Sequence, residues 1–165
     1  MKNTILIQDI DFNKIRKKIK ENPNKNIIFS SNNDELNRKV LEKENIKVLL
    51  LNQSQRKDKF KQRNSGLNQI FTKLAKKKNI IIGINLDEIL ESKGEKKKDI
   101  LARIKQNIRL CNKHKVKMNF IALKEENKRD IYDLKSLGLV LGMPTWMTGS
   151  LNSDKTIKTS ITTFR

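Results

Sequence analysis

Short apolar segments alternate along the chain with longer segments in which apolar residues recur every three or four positions. The short segments have the length and composition of buried β-strands, and the longer ones have the periodicity of amphipathic helices. The predicted strands are residues 4–7, 26–30, 47–51, 79–85 and 117–123. The predicted helices are the segment that follows Asp11 and residues 34–44, 67–77, 95–114 and 130–141.

Local signals define the ends and faces of these helices. Asp11 is predicted to cap the first helix, and Gly142 is predicted to end the last. In the helix over 67–77, the residues expected to face the core are Leu67, Ile70, Phe71 and Leu74. In the helix over 95–114, an apolar stripe is formed by Ile100, Leu101, Ile104, Ile108 and Cys111. The residues expected to lie away from that stripe are Arg103, Gln106, Arg109 and Lys113.

Strand and helix alternate five times, which predicts parallel strands joined by helical crossovers. We therefore expect residues 1–150 to form a single α/β domain, either a sheet or a barrel. Residues 151–165 are predicted to be a polar, basic tail that is poorly packed or ordered only by a partner. Functional loops in such folds follow the carboxyl ends of the strands, and the basic segment 53–64 follows the third strand.

The charge of the chain points to a polyanionic partner. The 165 residues include 37 Lys and Arg against 18 Asp and Glu, a formal net charge of +19. A bound nucleic acid would relieve the self-repulsion that such a charge causes. An AT-rich genome would also enrich Lys, but it explains the excess of Lys over Glu less well. Because only 5% of residues are aromatic, we expect structured RNA held through its phosphates rather than an aromatic base-stacking platform.

Residues suited to catalysis are few. His114 is the only histidine and Cys111 the only cysteine, so a His-rich metal site and an intramolecular disulfide are excluded. Asp87, Glu88 and Glu91 follow the fourth strand, and we interpret them as the solvated start of a short helix capped by Asp87. The alternative is that they serve a free-standing, metal-dependent phosphoesterase. We predict no catalytic residue, no metal ligand and no cofactor bound by the chain itself.

No apolar run is long enough to cross a membrane, and the N-terminus lacks the features of a signal peptide. We therefore expect a cytoplasmic protein that does not bind a membrane. The residues predicted to contact RNA are Arg56, Lys57, Arg63, Asn64, Arg103, Arg109 and Lys113. Alternatives remain open for some of them. Asn64 or Ser65 could cap the following helix, and Arg103 and Arg109 could bind acidic residues of a partner protein. A generic RNA-binding or ribosome-associated protein is a further alternative.

Four segments, in this order, resemble one known family. They are Arg63-Asn64-Ser65-Gly66-Leu67, Ile82-Gly83-Ile84-Asn85-Leu86, the helix positions Arg103, Asn107, Leu110 and Cys111, and the stretch from Asp133 to Gly138 with Leu141-Gly142-Met143. The family is ribonuclease P protein component 3 of archaea, which is homologous to a eukaryotic ribonuclease P/MRP subunit. The resemblance covers about residues 60–143.

The resemblance implies a TIM-like barrel related to the polymerase-and-histidinol-phosphatase superfamily, with parallel strands inside and helices outside. We expect either a full barrel or a shortened, incompletely closed one. It also implies a subunit of the RNA-based endonuclease that removes the 5′ leader from precursor tRNA. Catalysis would belong to the ribonuclease P RNA and its magnesium ions. The implied partners are that RNA, precursor tRNA, protein component 2 and the other protein subunits.

Overall fold

A computed structural model of the protein describes residues 4–151 and 162–164. Six parallel strands form one sheet in the spatial order β5-β4-β3-β2-β1-β6. The strands are β1 Thr4–Ile7, β2 Asn26–Ser30, β3 Val48–Leu51, β4 Ile81–Asn85, β5 Met118–Ile121 and β6 Thr162–Phe164. The five predicted strands are thus present, with ends that differ by at most two residues.

Among the residues that the structure describes, seven α-helices connect or follow these strands. They are α1 Phe12–Lys20, α2 Asp34–Lys43, α3 Gln69–Lys77, α4 Leu86–Glu91, α5 Gly94–His114, α6 Ile131–Leu141 and α7 Thr145–Ser150. A 3-10 helix, Glu125–Asn127, lies between β5 and α6. Asp11 caps α1 as predicted by accepting a hydrogen bond from the Asn13 backbone N–H. Gly142 ends α6 in the left-handed conformation, with φ of 94°.

The helices pack on one face of the sheet. Their buried residues join a single core with alternate strand residues such as Ile7, Phe29 and Leu49. The opposite face carries a second cluster made only of strand residues and the adjoining Leu123, which includes Leu6, Ile28 and Leu50. Helices outside and an apolar strand surface inside are the arrangement of a TIM-like barrel, as predicted. Within the described residues, β5 and β6 are the two edge strands of the sheet and do not pair with each other. Hydrogen bonds therefore do not close the sheet into a barrel.

A glycine permits tight packing on the inner face. A Cβ atom at Gly83 would lie 3.0 Å from Val48 Cγ1 and 3.1 Å from Leu50 Cδ1 on the neighbouring strand. Real Cβ atoms rarely approach other atoms so closely. The glycine of the Ile82–Leu86 motif therefore allows β3 side chains to cover β4.

Three details differ from the sequence analysis. Ile70 is 60% exposed, because Asn68 caps α3 and sets a register in which Phe71, Thr72 and Ala75 face inward. Helix α7 and strand β6 were not predicted. Residues 152–161 and 165 of the predicted tail lie outside the described residues, so the division of the chain at residue 150 stays a prediction.

Candidate nucleic-acid interface

The segment from 52 to 68 leaves the carboxyl end of β3 and leads into α3, and we call it the basic loop. Five cations lie in it, which are Arg56, Lys57, Lys59, Lys61 and Arg63. Its position is that of the functional loops of α/β barrels. The loop has two parts with different chemistry. We call residues 59–62 its tip and the remaining residues its root.

The Arg56 side chain in the root is held by hydrogen bonds within the protein. Its guanidinium pairs with both carboxylate oxygens of Asp34, at 2.7 and 3.0 Å, and its Nε donates to the Asn52 carbonyl at 2.8 Å. A third contact reaches Asn64 Oδ1 at 3.3 Å. The side chain is only 8% exposed. Bidentate pairing of this kind is geometrically specific, so Arg56 orders the loop against the start of α2.

Both the backbone conformation at Gly66 and the Arg56 side chain favour glycine at this position. Its φ is +73°, and a Cβ there would lie 2.1 Å from Arg56 Nη2. The backbone of Gly66 thus lies directly against the guanidinium. The glycine of the Arg63–Leu67 motif therefore serves an internal contact with Arg56.

Helix α5 holds the root from the other side. Arg103, which is 4% exposed, donates from Nε to Asp58 at 2.8 Å and from Nη1 to the Gln53 carbonyl at 3.0 Å. One turn further on, Asn107 donates to the Ser65 carbonyl at 3.3 Å. The two polar positions of the α5 motif therefore bind the loop rather than solvent.

Asp58 is the centre of this arrangement. The hydrogen bond from Arg103 holds the pKa of its carboxyl below the usual value of 3.8, and the bond from the Asn64 backbone N–H acts in the same direction. Burial of the carboxyl opposes both effects. Asp58 is therefore ionised at neutral pH, and its charge is compensated inside the protein.

The predicted RNA-binding residues thus fall into two groups. Arg56, Arg103 and Asn64 make the internal contacts described above. Their contact with RNA stays a prediction, and the internal hydrogen bonds already occupy most of the donors that such a contact would use. Lys57, Arg63, Arg109 and Lys113 are exposed. Within the described part of the chain, none of these four takes part in an ion pair.

We call the exposed cations of the loop and of α5 the basic surface. Arg63 lies beside α5, since it lines the same cleft as Gln106 of that helix. Lys105, Arg109 and Lys113 are exposed and are spaced four residues apart, so they share one face of α5. A helix of 21 residues is about 30 Å long. Exposed cations without an ion-pair partner among the described residues therefore lie on the loop and along the second half of this helix.

The carboxylates after β4 hold loops in place. Asp87 is buried and accepts from the Leu123 backbone N–H and from Asn127 Nδ2, each at 2.9 Å. Glu88 accepts from the backbone N–H groups of Gln53 and Ser54, at 2.6 and 3.1 Å. These residues do begin a short helix, as predicted, but Asp87 is buried and does not cap it, so the predicted solvation and capping are wrong for Asp87.

Asn85 is the residue that caps α4, by accepting from the N–H groups of Asp87 and Glu88. Glu91 binds Lys124 and Asn127, and the bond from Lys124 is the main cause of its lowered pKa. No group of three His, Cys, Asp or Glu side chains is placed to hold a metal ion among the residues that the structure describes. Cys111 lies in the core, where burial raises its pKa to about 12.

The fold and the loop define an α/β protein of TIM-like type with a basic surface at the carboxyl end of its sheet. No model of a known protein family matches the chain. A chain in the cryo-EM structure of archaeal ribonuclease P with mature tRNA has the same fold, with a TM-score of 0.75 and 18% identity. That match covers 93% of this chain and 66% of the other.

Sequence similarity points to a particular family. The chain is 32% identical over 74 residues to ribonuclease P protein component 3 of Methanosarcina mazei, and 38% identical over 56 residues to the Methanosarcina acetivorans protein. These matches cover 45% and 34% of this chain. They cover only 29% and 23% of the two relatives. The resemblance to component 3 that the four motifs indicate is confirmed. No helix among the described residues is both long and apolar enough for a membrane span.

Proposed function

We propose that this chain is a protein subunit of ribonuclease P, which binds and stabilises the catalytic RNA for removal of the 5′ leader from precursor tRNA. The observation that carries the proposal is the sequence similarity to two component 3 proteins, because that similarity is specific to one family. The fold shared with a chain of archaeal ribonuclease P supports it. The basic surface supplies the chemistry that such a role needs.

In this proposal the exposed cations neutralise phosphates and so lower the cost of packing RNA strands together. Lys57 and Arg63 act from the loop, and Arg109 and Lys113 act from α5. Phosphate contacts of this kind position a protein on RNA and account for most of the salt dependence of binding. The chain itself supplies no catalytic group, and the magnesium ions of the reaction are held by the RNA.

The proposal includes the rest of the holoenzyme. We propose that the chain pairs with protein component 2, joins the other protein subunits, and acts in the cytoplasm on precursor tRNA. Binding of component 2 at the outward face of α5 is an alternative use of Arg109. A charge-reversal variant, Arg109→Glu, distinguishes the two uses, since it would weaken binding to the RNA in one case and to the protein in the other.

Sequencing of the RNA that co-purifies with the full chain from its own cells tests the proposed function. We expect strong enrichment of ribonuclease P RNA and of precursor tRNA. Recovery of ribosomal RNA without ribonuclease P RNA would contradict the proposal and favour a ribosome-associated protein.

The rival function, a free-standing phosphoesterase, makes a different prediction. It requires divalent-metal-dependent turnover by the purified chain in the absence of RNA, with loss of turnover in Asp87→Asn. We expect no turnover, because the carboxylates of Asp87 and Glu88 are engaged by backbone N–H groups. Turnover by the RNA-free chain would contradict our assignment of catalysis to the RNA.

A further inference from the structure

We propose that Phe60, at the tip of the basic loop, stacks on an unpaired RNA base while the cations beside it bind the flanking phosphates. This inference rests on the proposed RNA-binding function and adds to it a site for single-stranded or looped-out nucleotides.

Phe60 is 100% exposed, the highest value among the large hydrophobic residues that the structure describes as exposed. Burying a phenylalanine contributes about 2 kcal/mol to stability. The fold obtains none of this contribution from Phe60. The ring is therefore available in full to a ligand.

The turn that carries Phe60 is closed by hydrogen bonds. The Lys59 N–H donates to the Gln62 carbonyl at 2.8 Å, and the Gln62 N–H donates to the Lys59 carbonyl at 3.2 Å. Directly below the turn, Asp58 is held by Arg103 and by the Asn64 backbone. The ring is thus presented on an ordered turn, which reduces the conformational entropy lost when a ligand binds.

The charges around Phe60 select an anionic ligand. Lys57, Lys59, Lys61 and Arg63 all lie within three residues of it along the chain. None of these cations has an ion-pair partner among the described residues. The one acidic residue of the segment, Asp58, is neutralised by Arg103. A flat, apolar ring surrounded by unpaired cations matches a nucleotide, which has an aromatic face and a phosphate on each side.

A cleft of about 210 Å³ beside the tip provides polar contacts for such a ligand. Its lining includes Lys59, Gln62, Arg63, Asn68 and Gln106. Side-chain amides can donate to and accept from base edges, and lysine and arginine can bind phosphate. An apolar pocket on a partner protein fits this surface less well, because the centres of protein interfaces are depleted in lysine.

Binding of the full chain to two fluorescent RNA probes tests the inference. One probe is a hairpin with an unpaired 2-aminopurine in its loop, and the other is a fully paired duplex with the same number of phosphates. We expect Phe60→Ala to weaken binding to the hairpin by about 5- to 150-fold, the range for loss of one stacked base. Binding to the duplex should stay the same within about 2-fold.

The variants separate stacking from other roles of the side chain. Phe60→Leu keeps the apolar volume without an aromatic face and should behave like Phe60→Ala. Phe60→Trp should restore both hairpin affinity and the change in 2-aminopurine fluorescence on binding. Tyr132→Ala, which removes another exposed aromatic residue, on α6, is the matched control and should change nothing. Because Phe60 has no contacts to lose, the thermal unfolding midpoint of each Phe60 variant should equal that of the unchanged protein.

Several results would overturn the inference. They are full hairpin binding by Phe60→Ala, restored binding by Phe60→Leu, or failure of the unchanged chain to bind the hairpin at all. Loss of binding to a protein subunit by Phe60→Ala, with RNA binding intact, would assign the ring to a protein pocket instead. These outcomes are distinct from failure of the proposed function, which depends on which RNA co-purifies from cells.

Discussion

The root and the tip of the basic loop are neighbours in sequence but differ in what their polar side chains bind. Arg56 of the root, and Arg103 of α5, which binds the root, are almost fully buried, and each pairs with a carboxylate of the same chain. At the tip, Lys59 and Lys61 are exposed and have no ion-pair partner among the described residues. The same holds for Lys57 and Arg63 next to the tip, and for Arg109 and Lys113 on α5. Motif residues are concentrated in the root. Apart from the exposed Arg63, the motif residues of this region therefore hold the loop in place, whereas the other cations available to RNA lie beside them.

Arginines 103 and 109 of α5 allow the sharpest stability comparison. We expect Arg103→Ala to lower the free energy of unfolding by about 2–4 kcal/mol, because it leaves Asp58 and the Gln53 carbonyl without their partner. Arg109→Ala should lower it by less than about 0.5 kcal/mol, as is usual for an exposed residue. Urea unfolding of both variants measures the difference. Equal effects would contradict the assignment of Arg103 to the interior.

A comparison of alanine substitutions at Gly66 and Gly94 separates the cost of backbone strain from the cost of disturbing Arg56. Both have positive φ, +73° and +55°, but a Cβ at Gly94 would have no atom within 4 Å. Gly94→Ala should therefore cost only the strain of the left-handed conformation, about 1 kcal/mol. Gly66→Ala should cost about 1–2 kcal/mol more, since the Arg56–Asp34 pair must also shift. Similar losses in thermal or urea unfolding would mean that the guanidinium moves aside freely.

The ion pair of Asp58 in the root should make a smaller, pH-dependent contribution to the free energy of unfolding. Its pKa in the folded protein is below the usual value of 3.8, so the unfolded chain binds the proton more tightly than the folded one. The stability that Asp58 contributes is therefore fully present above the unfolded pKa and is lost as pH falls through the folded pKa. Unfolding of the unchanged protein and of Asp58→Asn should differ most near neutral pH and converge as the pH falls through the folded pKa of Asp58. A stability difference between the two proteins that grows toward acid pH would contradict a lowered pKa for Asp58 in the folded protein.

Sequence patterns predicted the elements well because each depends on nearby residues. Strand β2 was predicted with its observed ends, and the Ile100, Ile104, Ile108 and Cys111 stripe of α5 is buried as expected. Helix α7 and strand β6 have no such signal. Strand β6 is three residues long and depends on pairing with β1, which lies more than 150 residues away in the chain.

Contacts between distant segments explain what the patterns could not predict at the site. Periodicity places Arg103 and Arg109 alike away from the apolar stripe, but only Arg103 meets a loop residue 45 positions earlier. Asp87 likewise binds segments that follow β5. One signal was present for α5. Arg103 and Asn107 lie one turn apart on one face of the helix, which is the spacing that two contacts with a single loop require.

The central claim, that the outward cations of the basic loop bind RNA, is tested most directly by the salt dependence of affinity for the co-purifying RNA. For some six phosphate contacts, the slope of log affinity against log salt should be about −4 to −5. A triple variant with Lys59→Ala, Lys61→Ala and Arg63→Ala should make the slope shallower by about 2–3, one contact for each cation removed. The matched control replaces Lys14, Lys17 and Lys20 of α1 with Ala and should leave the slope unchanged. Equal slopes for the two triple variants would contradict the claim.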